Sequence, residues 1–334
     1  MLRIAVDAMG GDQAPTVVVE GALAAARHLD VRVLLVGPEA RVTSVLRLLA
    51  GGHMGALEVV DAEETVSNDE PATLALRRRP RAAIRIAAEL VAAGDADALV
   101  SAGHTGATVV SARTAFGMIP GVDRPALAAV IPTETGSAVL VDAGASVECR
   151  PPHLVQFAVM GEIYSRLVLG VQRPRVALLS IGEEPNKGNE LTREAHRLLK
   201  GAPVGFIGNI EGREIYTGAA DVVVCDGFTG NVVLKTTEGL VETVERLLGD
   251  ELRGTFTSET GSVLSRRAFR RLRRRVDYSE YGGAPLLGVA GTAIVAHGRS
   301  SAKAIRNAIA MAARLASSDI VAQVTHGVAV AGVS

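Results

Sequence analysis

Two lysines stand out against an arginine background. Of 35 Lys and Arg residues only four are Lys, and two of these, Lys187 and Lys235, fall in or just after short Gly-bearing loops. A lysine ammonium meets phosphate as a compact, mobile point charge, where Arg imposes a planar fork. The same loops hold four carboxylates, Asp7, Asp12, Asp142 and Asp226, and two histidines, His104 and His297. A carboxylate at a strand end can orient a cation or act as a base; it can equally cap a helix or tie a loop together. A histidine there can donate to an oxyanion, carry a proton, or simply order its own loop.

Six loops carry these residues: 7–12, 101–106, 142–146, 182–188, 226–231 and 297–301. Each follows an apolar run and leads toward a helical pattern. Backbone N–H groups at helix starts favour an anion. The candidate binding set is therefore Asp7, Gly10, Gly11, Asp12, Ser101, Gly103, Thr105, Gly106, Asp142, Asn189, Gly227, Thr229, Gly230, Asn231, Lys235 and Ser300. His297, His104, Lys187 and Asp226 are the candidates for the chemistry itself. Phosphate is expected among the N–H groups of Gly10–Gly11, Gly103–Gly106 and Gly227–Gly230, balanced by Lys187 or Lys235.

Several other chemistries are missing. No G-x-x-x-x-G-K-[ST] loop supports a nucleoside triphosphate, and no G-x-G-x-x-G follows the first apolar run. There is no G-x-S-x-G elbow, H-E-x-x-H or paired C-x-x-C. Cys225 ends an apolar run and reads as packing; Cys149 stands beside Arg150, which could lower its pKa, though the sequence assigns it no partner. What remains is an anion site with no evident covalent nucleophile, cofactor or metal. Inorganic phosphate would then itself be the nucleophile, with the protein supplying positioning and donors for a developing oxyanion.

The elements that must place these loops alternate. Apolar runs predict strands at Arg3–Asp7, Val31–Val36, Leu57–Val60, Ala98–Ser101, Leu127–Ile131, Ala138–Asp142, Val176–Ile181, Val204–Ile207, Asp221–Asp226 and Thr292–Ala296. Helical patterns lie between most of them: Thr16–His28, Glu39–Ala50, Arg81–Ala93, Thr105–Phe116, Pro152–Gly170, Asn189–Lys200, Asn231–Gly249 and Ala302–Ala316. This order predicts a layered α/β fold on a mostly parallel sheet. Carboxyl ends of parallel strands share one edge, so all six loops are expected there, around one site. The 334 residues are 48% apolar but only 3% aromatic, with no Trp, so the core must be aliphatic. Length alone allows two domains; the absence of a linker favours a single bilobed unit over residues 1–334. A net charge of −1 selects no nucleic acid, and a strand starting near Leu2 leaves no room for a signal peptide, which points to the cytoplasm.

Two segments break the alternation. Residues 281–298 carry no charge, but five glycines and Pro285 make a turn followed by a buried strand the expectation, not a membrane span. Residues 252–276 form a basic amphipathic segment: Leu264, Ala268, Leu272 and Val276 recur every four residues, and seven arginines lie between Arg266 and Arg275. Leu264, Arg266, Arg267, Phe269, Arg270, Arg271 and Arg274 form a candidate contact for an anionic membrane or an acidic protein. The alternative is a solvated helix face.

The motifs Asp7-Ala-Met-Gly-Gly-Asp-Gln-Ala-Pro15, Ser101-Ala-Gly-His-Thr-Gly-Ala107, Gly208-Asn-Ile-Glu-Gly-Arg213, Asp226-Gly-Phe-Thr-Gly-Asn231 with Lys235, and Tyr281-Gly-Gly-Ala-Pro-Leu-Leu-Gly288 resemble, in that order, the bacterial phosphate acyltransferases of phospholipid synthesis, the PlsX family. The resemblance runs from about residue 2 to residue 315. It implies a three-layer Rossmann-like fold, similar to isopropylmalate dehydrogenase and phosphotransacetylase. It also implies a reaction in which acyl-[acyl-carrier-protein] and phosphate give acyl phosphate and free carrier protein. Homodimers and peripheral membrane association are implied with it. Rival expectations are a phosphotransacetylase-like enzyme using acyl-coenzyme A and a non-catalytic scaffold of lipid synthesis. Two positions depart from the family pattern, which usually has Asn where this chain has His104 and Ser146.

Overall fold

The computed structural model describes residues 1–51, 55–67, 69–253 and 281–332. The segment 252–276, with Leu264, Arg266, Arg267, Phe269, Arg270, Arg271 and Arg274, therefore lies almost wholly outside the described residues.

Among the described residues, eleven strands form one sheet. They are β1 (Leu2–Asp7), β2 (Val31–Gly37), β3 (Leu57–Asp61), β4 (Ala98–Ser101), β5 (Ala126–Thr133), β6 (Gly136–Val141), β7 (Val176–Leu179), β8 (Phe206–Ile210), β9 (Val222–Val224), β10 (Ala284–Leu287) and β11 (Ala293–Val295). Their spatial order is β3-β2-β1-β4-β11-β10-β5-β6-β9-β7-β8. The inner strands are buried on both faces: β4 and β9 have no exposed residue, because helices cover either side.

The helices are α1 (Thr16–His28), α2 (Glu39–Ala50), α3 (Ala72–Arg78), α4 (Ala83–Ala92), α5 (Thr105–Phe116), α6 (Pro151–Tyr164), α7 (Glu190–Leu199), α8 (Gly227–Arg253), α9 (Ala302–Ala316) and α10 (Ile320–Ala331). In α1, Gly21 lets α9 approach closely; a Cβ there would lie 2.6 Å from Ile305 Cβ. α6 is buried nearly all round, as an apolar helix without a polar face must be. It ends in a π turn at Ser165–Leu169.

Seven of the ten pairings are parallel, as the alternation predicts. The three antiparallel ones, β11–β10, β10–β5 and β5–β6, lie together at the centre and change the geometry. Strands β1 to β5 and β11 run one way; β6 to β10 run the other. The expectation that all six loops share one edge is thus wrong. Loops 7–12, 101–106 and 297–301 leave one edge, and 142–146, 182–188 and 226–231 leave the opposite edge. The cause is the tight β5–β6 hairpin, where Thr133 pairs with Gly136 and the chain reverses without a helix. Apolar periodicity carries no strand direction, so the sequence pattern could not show it.

Other departures are smaller. β10 was expected to be turn; its four residues sit between Gly282–Gly283 and Gly288, all at positive φ, so the turn signals are real but bracket a strand. α3 and α10 were not expected, and α8 begins four residues earlier than its apolar pattern, at Gly227.

Candidate active site

α5 and α8 start at opposite edges of the sheet, and a cleft of about 290 Å³ lies between them across the face of β5, β10 and β11. Its floor is apolar: Leu127 and Ala129 of β5, Ala284 of β10, Val295 of β11 and Leu234 of α8. Its polar lining is Thr105 and Gly106 of α5, Asn231, Lys235 and Glu238 of α8, Tyr281, and His297. The lining therefore joins one cation, one carboxylate and several donors to a hydrocarbon floor.

The start of α5 is shaped by His104. Its Nδ1 accepts the N–H of Ala107 at 3.2 Å, capping the helix, so in the neutral ring the proton resides on Nε2. Ala107 is satisfied by this cap, and the two N–H groups before it, of Thr105 and Gly106, are the ones that α5 brings to the cleft. An Asn at 104 could serve in the same way, its Oδ1 accepting and its amide donating.

The start of α8 is shaped by Asp226. Its Oδ1 accepts the N–H of Thr229 at 2.9 Å and its Oδ2 the Thr229 hydroxyl at 2.7 Å. Gly227 donates its N–H to the Ser146 carbonyl at 2.9 Å. Gly230 sits where a Cβ would lie 1.9 Å from the Asp142 carbonyl oxygen. The 142–146 loop is held in turn by Asp142, whose carboxylate accepts four backbone N–H groups, from Leu127, Gly144, Ala145 and Ser146. Burial pushes the Asp142 pKa up, and those four donors pull against it. Ser146 donates its hydroxyl to the Pro125 carbonyl at 2.8 Å. This second loop pair is therefore a rigid mount for Asn231 and Lys235.

At the other edge, Ser101 donates to Asp7 at 2.8 Å and in turn accepts the N–H of Gly103. Asp12 donates its N–H to the Gly298 carbonyl at 2.8 Å. Gly10 packs on Gly103; a Cβ there would lie 2.6 Å from the Gly103 nitrogen. Burial raises the Asp7 carboxyl to about 6, against the opposing bonds from Ser101, Met9 and Gly10. Asp7, Gly10, Gly103 and His104 line a small cavity of about 10 Å³, apart from the cleft.

The expected residues thus sort into three groups. Thr105, Gly106, Asn231, Lys235 and His297 converge on the cleft. Asp7, Gly10, Gly11, Asp12, Ser101, Gly103, His104, Asp142, Asp226, Gly227, Thr229, Gly230 and Ser300 stand behind it as loop and cap contacts; Ser300, for one, closes the His297 turn with its N–H. Lys187 and Asn189 lie elsewhere. Lys187 is exposed and folds over Gly182, and Asn189 caps α7 through Thr192. The expected three-loop phosphate cradle also needs correction. The N–H groups of Gly227, Thr229 and Gly230 are taken by Ser146 and Asp226, and that of Gly103 by Ser101. Cys149, whose pKa Arg150 could have lowered, is instead pushed up to about 12 by burial. Burial also raises Cys225, so neither thiol suits nucleophilic attack.

One residue was missed from sequence. Glu238 lines the cleft with its side chain 14% exposed, and its Oε2 stands 3.7 Å from His297 Nε2. Its spacing of three from Lys235 on one helix was the available signal.

This sheet, with helices on both faces, has the α/β fold of solved phosphotransacetylases. A solved phosphotransacetylase from Streptococcus pyogenes superposes with a TM-score of 0.62 at 19% identity, covering 94% of each chain. The EutD phosphotransacetylase from Staphylococcus aureus gives 0.58 at 18% identity, with the same coverage. Residues 2–323 match the family described as fatty acid synthesis protein. Phosphate acyltransferase from Thermodesulfovibrio yellowstonii is 48% identical over 326 residues, 98% of this chain and 94% of that one. Phosphate acyltransferase from Citrifermentans bemidjiense is 50% identical over 311 residues, 93% and 88% of the two chains. The chain belongs to this phosphate acyltransferase family, and it is an acyltransferase.

Proposed function

We propose that the protein transfers an acyl group from an acyl-carrier-protein thioester to inorganic phosphate, giving acyl phosphate for phospholipid synthesis. The observation that carries this reading is the split lining of the cleft. Lys235, Asn231, His297 and the N-terminus of α5 gather at an apolar floor, which suits an anion beside an acyl chain.

In this reading phosphate binds against Lys235 and the Thr105 and Gly106 N–H groups. A phosphate oxygen attacks the thioester carbonyl carbon. The new C–O bond forms, the carbonyl becomes an oxyanion stabilised by Asn231 and nearby donors, and the C–S bond then breaks. The thiolate of the carrier protein leaves without needing a strong acid. Holding both substrates in one cleft supplies much of the rate.

The test is thiol release from a palmitoyl-carrier-protein thioester with and without phosphate. Phosphate-dependent release, with acyl phosphate trapped by hydroxylamine, supports the reading. Release that ignores phosphate, or occurs only with a coenzyme A thioester, overturns it.

Homodimers and peripheral contact with an anionic membrane in the cytoplasm belong to the same proposal. An exposed apolar stripe on α8, Phe228, Val232, Leu240, Val244 and Leu247, supports a protein contact, since such faces seldom stay wet. Among the described residues no helix is long and apolar enough to cross a membrane. For the membrane contact the support is the basic pattern of residues 252–276.

A further inference from the structure

We infer that Glu238 is a positioning residue of this site, whose carboxylate fixes the ring of His297 at the anion-binding end of the cleft. The inference rests on the reading above, acyl transfer to phosphate. Asn231, Leu234, Lys235 and Glu238 occupy one face of α8, the face turned to the cleft. A carboxylate only 14% exposed beside a site for an anion is unfavourable unless it has a separate task.

The task is visible in the loop opposite. His297 Nδ1 accepts the N–H of Arg299 at 3.1 Å, which puts the proton of the neutral ring on Nε2. That nitrogen faces Glu238 Oε2 at 3.7 Å, too far for a hydrogen bond but near enough for the carboxylate charge to act on the Nε2–H dipole. One helical turn on, Glu242 Oε1 accepts from Arg299 Nη2 at 2.8 Å. Two carboxylates four residues apart on α8 thus hold the 297–299 loop, which leaves the opposite edge of the sheet. The inner one acts on the imidazole, the outer one on the loop beside it. A fixed ring can meet the bound phosphate without first losing rotational freedom.

Removing the Glu238 charge then has two opposed effects. Phosphate loses a repulsive neighbour, so its binding does not weaken. The His297 ring loses its electrostatic anchor, so turnover slows. A merely structural role would not split KM from kcat in this way.

The experiment is a double-mutant cycle of Glu238→Gln and His297→Gln, read as kcat and phosphate KM in the thiol-release assay. Glu238→Gln alone is expected to lower kcat by about tenfold without raising phosphate KM, and to cost under about twofold when added to His297→Gln. An unchanged kcat, a raised phosphate KM, or an equal cost in both backgrounds overturns the inference while the reaction stands. A wild-type enzyme that does not use phosphate overturns the reaction reading and this inference with it. If Glu238→Gln does not fold, Glu238→Asp keeps the charge but shortens its reach, and the same cycle is read with a smaller loss.

Discussion

Ser101 donates its hydroxyl to Asp7 Oδ2 at 2.8 Å, joining the carboxyl ends of β1 and β4 inside the protein. Burial outweighs this bond and raises the Asp7 pKa from 3.8 to about 6. Between those two values the folded chain holds a proton that the unfolded chain has lost. Stability contributed by Asp7 therefore falls as pH rises through that window. Asp7→Asn carries no such proton. Its stability relative to wild type should improve from pH 4 to pH 7 by about 1–3 kcal/mol in denaturant melts. A difference independent of pH would show that Asp7 ionises normally.

The fold was legible from the sequence in outline, and the site only in part. All ten expected strands are present, because each is an aliphatic run long enough to declare itself. β10 was hidden by its flanking glycines, and strand direction was hidden entirely. That second gap displaced the site: loops 101–106 and 226–231 were expected side by side on one edge, and they leave opposite edges. Strand-end carboxylates were ambiguous for a related reason. A buried Asp that accepts four backbone N–H groups has the same sequence signature as one that meets substrate. Glu238 was missed because a carboxylate in mid-helix reads as solvated until the cleft is seen.

Lys235 and Lys187 separate in one assay. Lys235→Ala should raise phosphate KM about tenfold, the loss of one charge-assisted contact of about 1.4 kcal/mol. An equal rise in Lys187→Ala would mean that loop 182–188 reaches the cleft from a second copy or after moving. No rise in Lys235→Ala would remove the α8 cation from the anion site.

His104 should be replaceable by Asn. The amide can accept from Ala107 and donate elsewhere, so kcat and melting temperature should stay close to wild type. His104→Ala removes the cap of α5 and should cost about 1 kcal/mol. A large kcat loss in His104→Asn, with stability intact, would give the imidazole a chemical role of its own.

Asp226 divides the capping role from the catalytic one. Asp226→Ser retains a hydroxyl able to cap α8, and should keep most of the turnover. Asp226→Ala should lose about 1 kcal/mol of stability and weaken phosphate binding as the helix start frays. A kcat collapse in the stably folded serine variant would restore Asp226 to the chemistry.

Gly230 is the strictest test of the mount under Asn231 and Lys235. An added Cβ would lie 1.9 Å from the backbone oxygen of Asp142 and 3.0 Å from the Cys225 sulfur, both in buried residues. Neither can move without disturbing β6 or the four N–H bonds on the Asp142 carboxylate. Gly230→Ala must therefore push α8 away from the sheet, at a cost of about 3 kcal/mol or more. Because α8 carries Asn231, Lys235 and Glu238 together, the surviving folded fraction should show both a raised phosphate KM and a lowered kcat. Gly239→Ala, on the same helix with nothing within 4 Å of an added Cβ, should instead stabilise by about 0.5–1 kcal/mol, in line with helix propensity. A Gly230→Ala protein that melts like wild type would show that the α8 start is not fixed by this contact.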